Sequence, residues 1–135
     1  MFDRKLMEIS RRLRTSPGAS SESLNALIVR LGYHLPSDYL SFMQTTNGAE
    51  GSLDSSYVVI WPVEEVAPLN EAHAVAEFAP NLVLFGSDGG STGYGFDTSS
   101  PGSAIVAIDL ILTDVVEPMG STFLEFFAKP AGETL

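Results

Sequence analysis

The segment with the strongest claim to chemistry is Phe85-Gly86-Ser87-Asp88-Gly89-Gly90-Ser91-Thr92-Gly93, because backbone amides in glycine-rich loops can cradle an anion such as a phosphate. Two features argue otherwise. Asp88 stands where a phosphate loop carries lysine, and the following run reads as a strand, so no helix N-terminus faces the anion. A hairpin turn with glycines at positive φ accounts for the same residues. Serine catalysis would need a base. The two histidines are His34, wedged before Leu35-Pro36, and His73, and both read as surface or boundary residues rather than as a catalytic base. Asp88 and Asp97, on the two arms of one predicted hairpin, could join Glu64 or Glu65 as a hydrolytic carboxylate pair or a calcium site. The chain has 17 acidic residues, however, so carboxylates without ligand spacing read more simply as a solvated face. The expectation is no catalytic residue, no metal and no cofactor.

Trp61, the only tryptophan, ends an apolar run and is followed by Pro62, Glu64 and Glu65. It has two readings. One is core packing; the other is an interface anchor at a cleft, since tryptophan beside carboxylates is a composition enriched in binding hot spots. Trp61, Glu64, Asp88 and Tyr94 are therefore the candidate partner-binding residues.

The elements that must position these residues follow from periodicity. Phe2, Leu6, Ile9 and Leu13 form one stripe of an amphipathic helix whose other faces carry Arg4, Lys5, Arg11 and Arg12, and Ser16-Pro17-Gly18 stops it. A second helix presents Leu24, Leu27, Ile28 and Leu31 and ends at Gly32. Pro36 opens a third, with Asp38 in its first turn, and Asn47-Gly48 ends it. Strands are expected at Tyr57–Trp61, Leu82–Phe85, Tyr94–Phe96 and Ala104–Ile108, separated by turns such as Ser87-Asp88-Gly89-Gly90 and Ser99-Ser100-Pro101-Gly102. A short helix is expected over Asn70–Phe78, ended by Pro80, and a closing one over Ser121–Ala128, capped by Ser121 and stopped by Pro130. The result is one α+β domain over 1–135, with N-terminal helices on one face of a mostly antiparallel sheet and a closing C-terminal helix.

Composition bounds the function. With 44% hydrophobic residues the chain should fold, and its longest apolar stretch, Ala104 to Leu112, is broken by Asp109 and too short to span a membrane. Met1 to Glu8 carries charges where a signal peptide needs an apolar centre, so a cytoplasmic location is expected. The absence of cysteine excludes disulfides, thiolate zinc sites and cysteine nucleophiles. Met1 to His34 holds six of the seven basic residues against three acids, a net of +3, which leaves the rest at −13 with Lys129 its single base. Such a body repels phosphate backbones, so nucleic acid is an unsuitable partner; it attracts a basic protein surface.

Leu35-Pro36-Ser37-Asp38-Tyr39-Leu40-Ser41-Phe42, followed by Asn47-Gly48, resembles the opening signature of the SUKH superfamily of Smi/Knr type. Trp61-Pro62-Val63-Glu64-Glu65 resembles that family's tryptophan-containing strand end, and Phe85 to Gly90 with Tyr94-Gly95-Phe96-Asp97 its glycine-rich hairpin. Ser121 to Phe127 resembles its closing helix. The likeness spans Leu24 to Ala128 and leaves the basic helix, 1–18, outside the part that aligns. It implies a non-enzymatic protein-binding domain: bacterial members are similar to immunity proteins that neutralise toxins from neighbouring cells, and fungal members regulate cell-wall synthesis. An immunity protein covering a basic toxin domain is the leading expectation. The alternatives are a regulatory adaptor with a housekeeping partner and a carboxylate-based hydrolase.

Overall fold

The structure, a computed structural model, describes residues 4–53, 56–99, 104–112 and 116–128, and of Lys5, Val116 and Ala128 the backbone alone. Helix α1 (Arg4–Ser10) leads into strand β1 (Arg14–Thr15), followed by α2 (Ser21–Leu31), α3 (Ser37–Thr45), β2 (Ala49–Ser52) and β3 (Tyr57–Ile60). Helices α4 (Val63–Ala72) and α5 (Val75–Phe78) precede the meander β4 (Leu82–Ser87), β5 (Thr92–Asp97), β6 (Ile105–Asp109) and β7 (Val116–Gly120), and α6 (Phe123–Ala128) closes the chain. All seven strands form one antiparallel sheet in sequence order. This is the expected α+β architecture.

Side-chain alternation sets what the sheet buries. In β3, Val58 and Ile60 point to the core and Tyr57 and Val59 to the other face. In β5, Tyr94 and Phe96 join the core while Gly93 and Gly95 face away. The core is aromatic: Tyr39 and Phe42 of α3, Phe85 and Phe96 of the sheet and Phe123, Phe126 and Phe127 of α6 are all fully buried. Their rings meet mostly at tilted or edge-to-face angles, Tyr39 lying 5.2 Å from Phe96 and 5.4 Å from Phe123, while Phe123 and Phe127 stack. Such contacts contribute about 0.5–1.5 kcal/mol per pair beyond the area they bury.

Capping explains the helix boundaries. Ser20 accepts a hydrogen bond from Ser23 N at the start of α2, and Gly32, at φ 66°, ends that helix in a left-handed turn. Asp38 does more than favour its own helix dipole. Its Oδ2 accepts from Leu124 N at 3.2 Å, which ties the first turn of α6 to α3. Thr122, rather than Ser121, caps α6, by accepting from Glu125 N at 3.1 Å.

Several boundaries differ from those expected of the sequence. The first helix stops at Ser10, where the Ser10 hydroxyl donates to Met7 O at 2.8 Å. Leu13 stays buried from the turn beyond it, and Arg14 and Thr15 pair with Glu50 and Ala49 as the edge strand β1. β2 and β7 are also additions; their sequences, Ala-Glu-Gly-Ser and Val-Glu-Pro-Met-Gly, lack the apolar alternation of a strand. The helix expected at Asn70–Phe78 is two helices, beginning at Val63 and broken after Ala72 by Ala74 at φ 52°. Pro68 sits inside α4 on an exposed position, where the N–H it lacks would have bonded Glu64 O. Phe2 of the first apolar stripe, positions 100–102 of the second turn, Lys129 and Pro130 lie outside the described residues.

Candidate partner-binding site

Trp61 is the residue at which the sheet hands over to α4. Its N–H donates to Phe85 O at 3.0 Å, the last hydrogen bond between β3 and β4, and Pro62 then starts the helix. No side chain adjacent in sequence caps α4. Asn47 does so from a distance: Oδ1 accepts from Val63 N at 2.8 Å, and Nδ2 donates to Glu64 Oε1 at 2.8 Å. Gly48 makes this approach possible. It adopts φ 87°, and a Cβ there would lie 2.6 Å from Ile60 O. The Asn-Gly pair is thus a clamp that sets where Glu64 and Glu65 stand, in the first turn of α4, where the helix dipole favours anions.

A cleft of about 370 Å³ opens at this junction, between the ends of β1, β2 and β3 and the first turn of α4. Trp61, Val59 and Pro62 supply its apolar lining; Arg14, Glu50 and Glu65 supply its charges. Trp61 is 7% exposed. Its bulk belongs to the core, and its remaining surface faces the cleft.

Asp88 serves the β4–β5 turn. Its Oδ1 accepts from Gly90 N at 2.8 Å and Thr92 N at 3.3 Å, so the amides that might have cradled a phosphate are held by a carboxylate of the chain itself. β5 follows the turn directly, as a hairpin requires. Tyr94 is 6% exposed, with its ring 4.8 Å from that of Phe126. Burial pushes its hydroxyl pKa above the usual value, and the charges of Asp88 and Glu117 add to the shift.

The four candidates fall into two pairs. Trp61 and Glu64 stand at the α4 end of β3; Asp88 and Tyr94 belong to the β4–β5 hairpin. Contacts on the outer face of the sheet connect them. A Cβ at Gly89 would lie 3.1 Å from the Tyr57 ring, the Tyr57 hydroxyl donates to Glu50 Oε2 at 2.7 Å, and Glu50 lines the cleft with Trp61. Residues that sequence reasoning missed here are Asn47, Glu50, Tyr57 and Arg14. Only Asn47-Gly48 left a signal, as a turn.

Asp97 is at the far end of β5, five residues beyond Thr92 and hence about 16 Å along the strand from the Asp88 turn. It binds Ser99, whose N–H and hydroxyl donate to it at 3.0 and 2.6 Å. The two aspartates do not converge. Among the described residues no group of three or more His, Cys, Asp or Glu is placed to hold a metal ion, and no helix is long and apolar enough to cross a membrane.

A family model described as SMI1 / KNR4 family (SUKH-1) matches residues 18–129. Among curated proteins none matches the chain. The matched stretch contains the Asn47-Gly48 clamp, Trp61, the glycine-rich hairpin and α6; α1 and β1 precede it.

Proposed function

This chain belongs to the SMI1 / KNR4 family (SUKH-1), and from that premise we propose that it is a non-enzymatic protein-binding domain, an immunity protein that neutralises a cognate bacterial toxin by covering its surface. The observation that carries the proposal is the continuous strip from α4 across the outer face of β3 to the β4–β5 turn. Glu50 and Glu65 line the Trp61 cleft on this strip, with Glu64 beside it in the first turn of α4 and Asp88 at the hairpin end, in a chain of net charge −10. A basic toxin surface meets complementary charge there, which speeds encounter and fixes orientation. Glu64 and Asp88 would make direct contact. Trp61 would anchor the interface through the cleft, and Tyr94 would support the hairpin from beneath. The separation of Asp88 from Asp97 speaks against the hydrolase alternative.

Co-expression with each toxin domain encoded beside the gene tests the reading, in the cytoplasm where the protein would act. Rescue of growth and isolation of a stoichiometric complex are expected. Glu64→Lys should weaken that complex by about tenfold or more, beyond the loss of stability of about 1 kcal/mol expected from a cation in the first turn of α4 and the lost Asn47 hydrogen bond. Failure of every neighbouring toxin to give rescue or a complex sinks the proposal. Recovery of one non-toxin protein in repeated pull-downs would replace it with a regulatory adaptor.

A further inference from the structure

The cleft beside Trp61 holds two carboxylates in different states. Glu50 Oε2 is engaged on two sides, by Arg14 Nη2 at 3.2 Å and by the Tyr57 hydroxyl at 2.7 Å. Glu65 makes no side-chain hydrogen bond or ion pair among the described residues. The Arg14–Glu50 pair is solvent-exposed, its side chains 77% and 46% accessible, and a pair of this kind is weak and readily exchanged. Two carboxylates against one guanidinium leave the cleft with a net negative charge.

Arg14 also marks what the cleft accepts. Its guanidinium reaches Glu50 from β1, a strand that precedes the family-matched stretch and completes the cleft with Thr15 and Ser16. A planar guanidinium pairs with a carboxylate through two parallel N–H donors and stacks on aromatic faces, while its methylene stem covers apolar surface. Trp61, Val59 and Pro62 provide that surface and Glu65 the unoccupied carboxylate.

We infer that this cleft is the receptor for an arginine side chain on an extended basic segment of the partner protein, with Glu65 as the carboxylate that meets it and Arg14 as a placeholder that holds Glu50 until the exchange. The inference rests on the protein-binding reading above and specifies how that surface recognises its partner. It also gives the basic N-terminal segment a role: β1 supplies a wall of the cleft and an internal competitor for its ligand.

The test uses the full chain and two blocked tripeptides, one centred on arginine and one on citrulline, which has the same shape without the charge. Trp61, as the only tryptophan, reports through its fluorescence and its indole N–H resonance. The arginine peptide should give a saturable change at Trp61 and the citrulline peptide none. Glu65→Gln should weaken binding by about fivefold or more, whereas Glu77→Gln, an exposed acid outside the cleft lining, should change it by less than about twofold. Arg14→Gln should tighten binding by about two- to fivefold, because it removes the competitor. Equal responses to both peptides, equal losses in the two glutamate variants, or weaker binding by Arg14→Gln would each overturn the inference. Peptide binding without toxin rescue would leave the cleft assignment standing and remove the toxin; rescue by a Glu65→Gln variant with undiminished affinity would do the reverse.

Discussion

The Asn70 side chain takes both backbone hydrogen-bonding groups of Leu84: Oδ1 accepts from Leu84 N and Nδ2 donates to Leu84 O, each at 2.9 Å. β3 has left the sheet by that point. The residue that would face Leu84 in register beyond Trp61 and Phe85 is Pro62, which has no N–H and begins α4. Asn70 replaces the missing strand with a side-chain amide, and its Nδ2 also reaches Val66 O at 2.7 Å. One residue thereby docks α4 on the edge of β4, and with it Glu64 and Glu65 at the other end of the helix.

Asn70→Ala should accordingly cost about 2–4 kcal/mol in urea unfolding, because two backbone groups of a fully buried residue lose their partners. Glu71→Ala, one residue on, breaks only the exposed ion pair with Arg30 and should cost less than about 1 kcal/mol. Similar losses for both variants would show that Asn70 is not the docking contact.

Asn47→Ala removes the cap of α4 and the donor that holds Glu64, and should lower stability by about 1–2 kcal/mol. Asn47→Asp keeps an acceptor for Val63 N but sets a second carboxylate against Glu64. It should fall below the wild type in thermal unfolding at neutral pH, and less so at high salt, which screens the repulsion.

Tyr39 is fully buried, and its hydroxyl has no hydrogen-bond partner among the described residues. Tyr39→Phe should therefore raise stability by about 1 kcal/mol, since it removes an unsatisfied polar group and keeps the ring contacts with Phe85, Phe96 and Phe123. Burial pushes the Tyr39 hydroxyl well above the ordinary tyrosine pKa of 10.0. Burial also raises that of Tyr94. For a pKa raised on folding, the stabilisation is complete below the unfolded value and is lost as pH climbs towards the folded one. Melting temperature should hold up to about pH 10 and fall above it. The fall should be shallower in Tyr39→Phe, and an unchanged alkaline slope would contradict this account.

The N-terminal segment lies before the family-matched stretch yet is built into the core, with Leu6 at 0% and Ile9 at 1% exposure. Leu6→Ala should cost about 2–5 kcal/mol. Arg11→Gln, on an exposed position, should stay within about 0.5 kcal/mol. Equal, small effects of both would mean that α1 adds nothing to the fold.

Legibility varied with how local the cause was. The apolar spacing of Leu24 and Leu27, and the glycine that stops their helix at Gly32, could be read directly, because a helix face and its C-cap are set by residues a few positions apart. The Asp88 turn was legible for the same reason, since its carboxylate bonds amides two and four residues on. The start of α4 was not, because its cap comes from Asn47, 16 residues earlier. Nor was β1: two residues carry no periodicity, and Arg14 becomes part of a strand only by pairing with Glu50.

The amino-acid sequence by itself determined the α+β class, the aromatic residues available to the core, the excess of negative charge and the family motifs, all of which follow from composition and short-range spacing. Tertiary structure alone decided which carboxylates share a surface. It parted Asp88 from Asp97, which lie near each other in the chain but at different ends of β5, and gathered Glu50, Trp61 and Glu65 with Arg14 around one cleft. The physical reason is that sheet register and distant capping by Asn47 and Asn70 fix side-chain positions through contacts between residues far apart along the chain, and no local pattern encodes those.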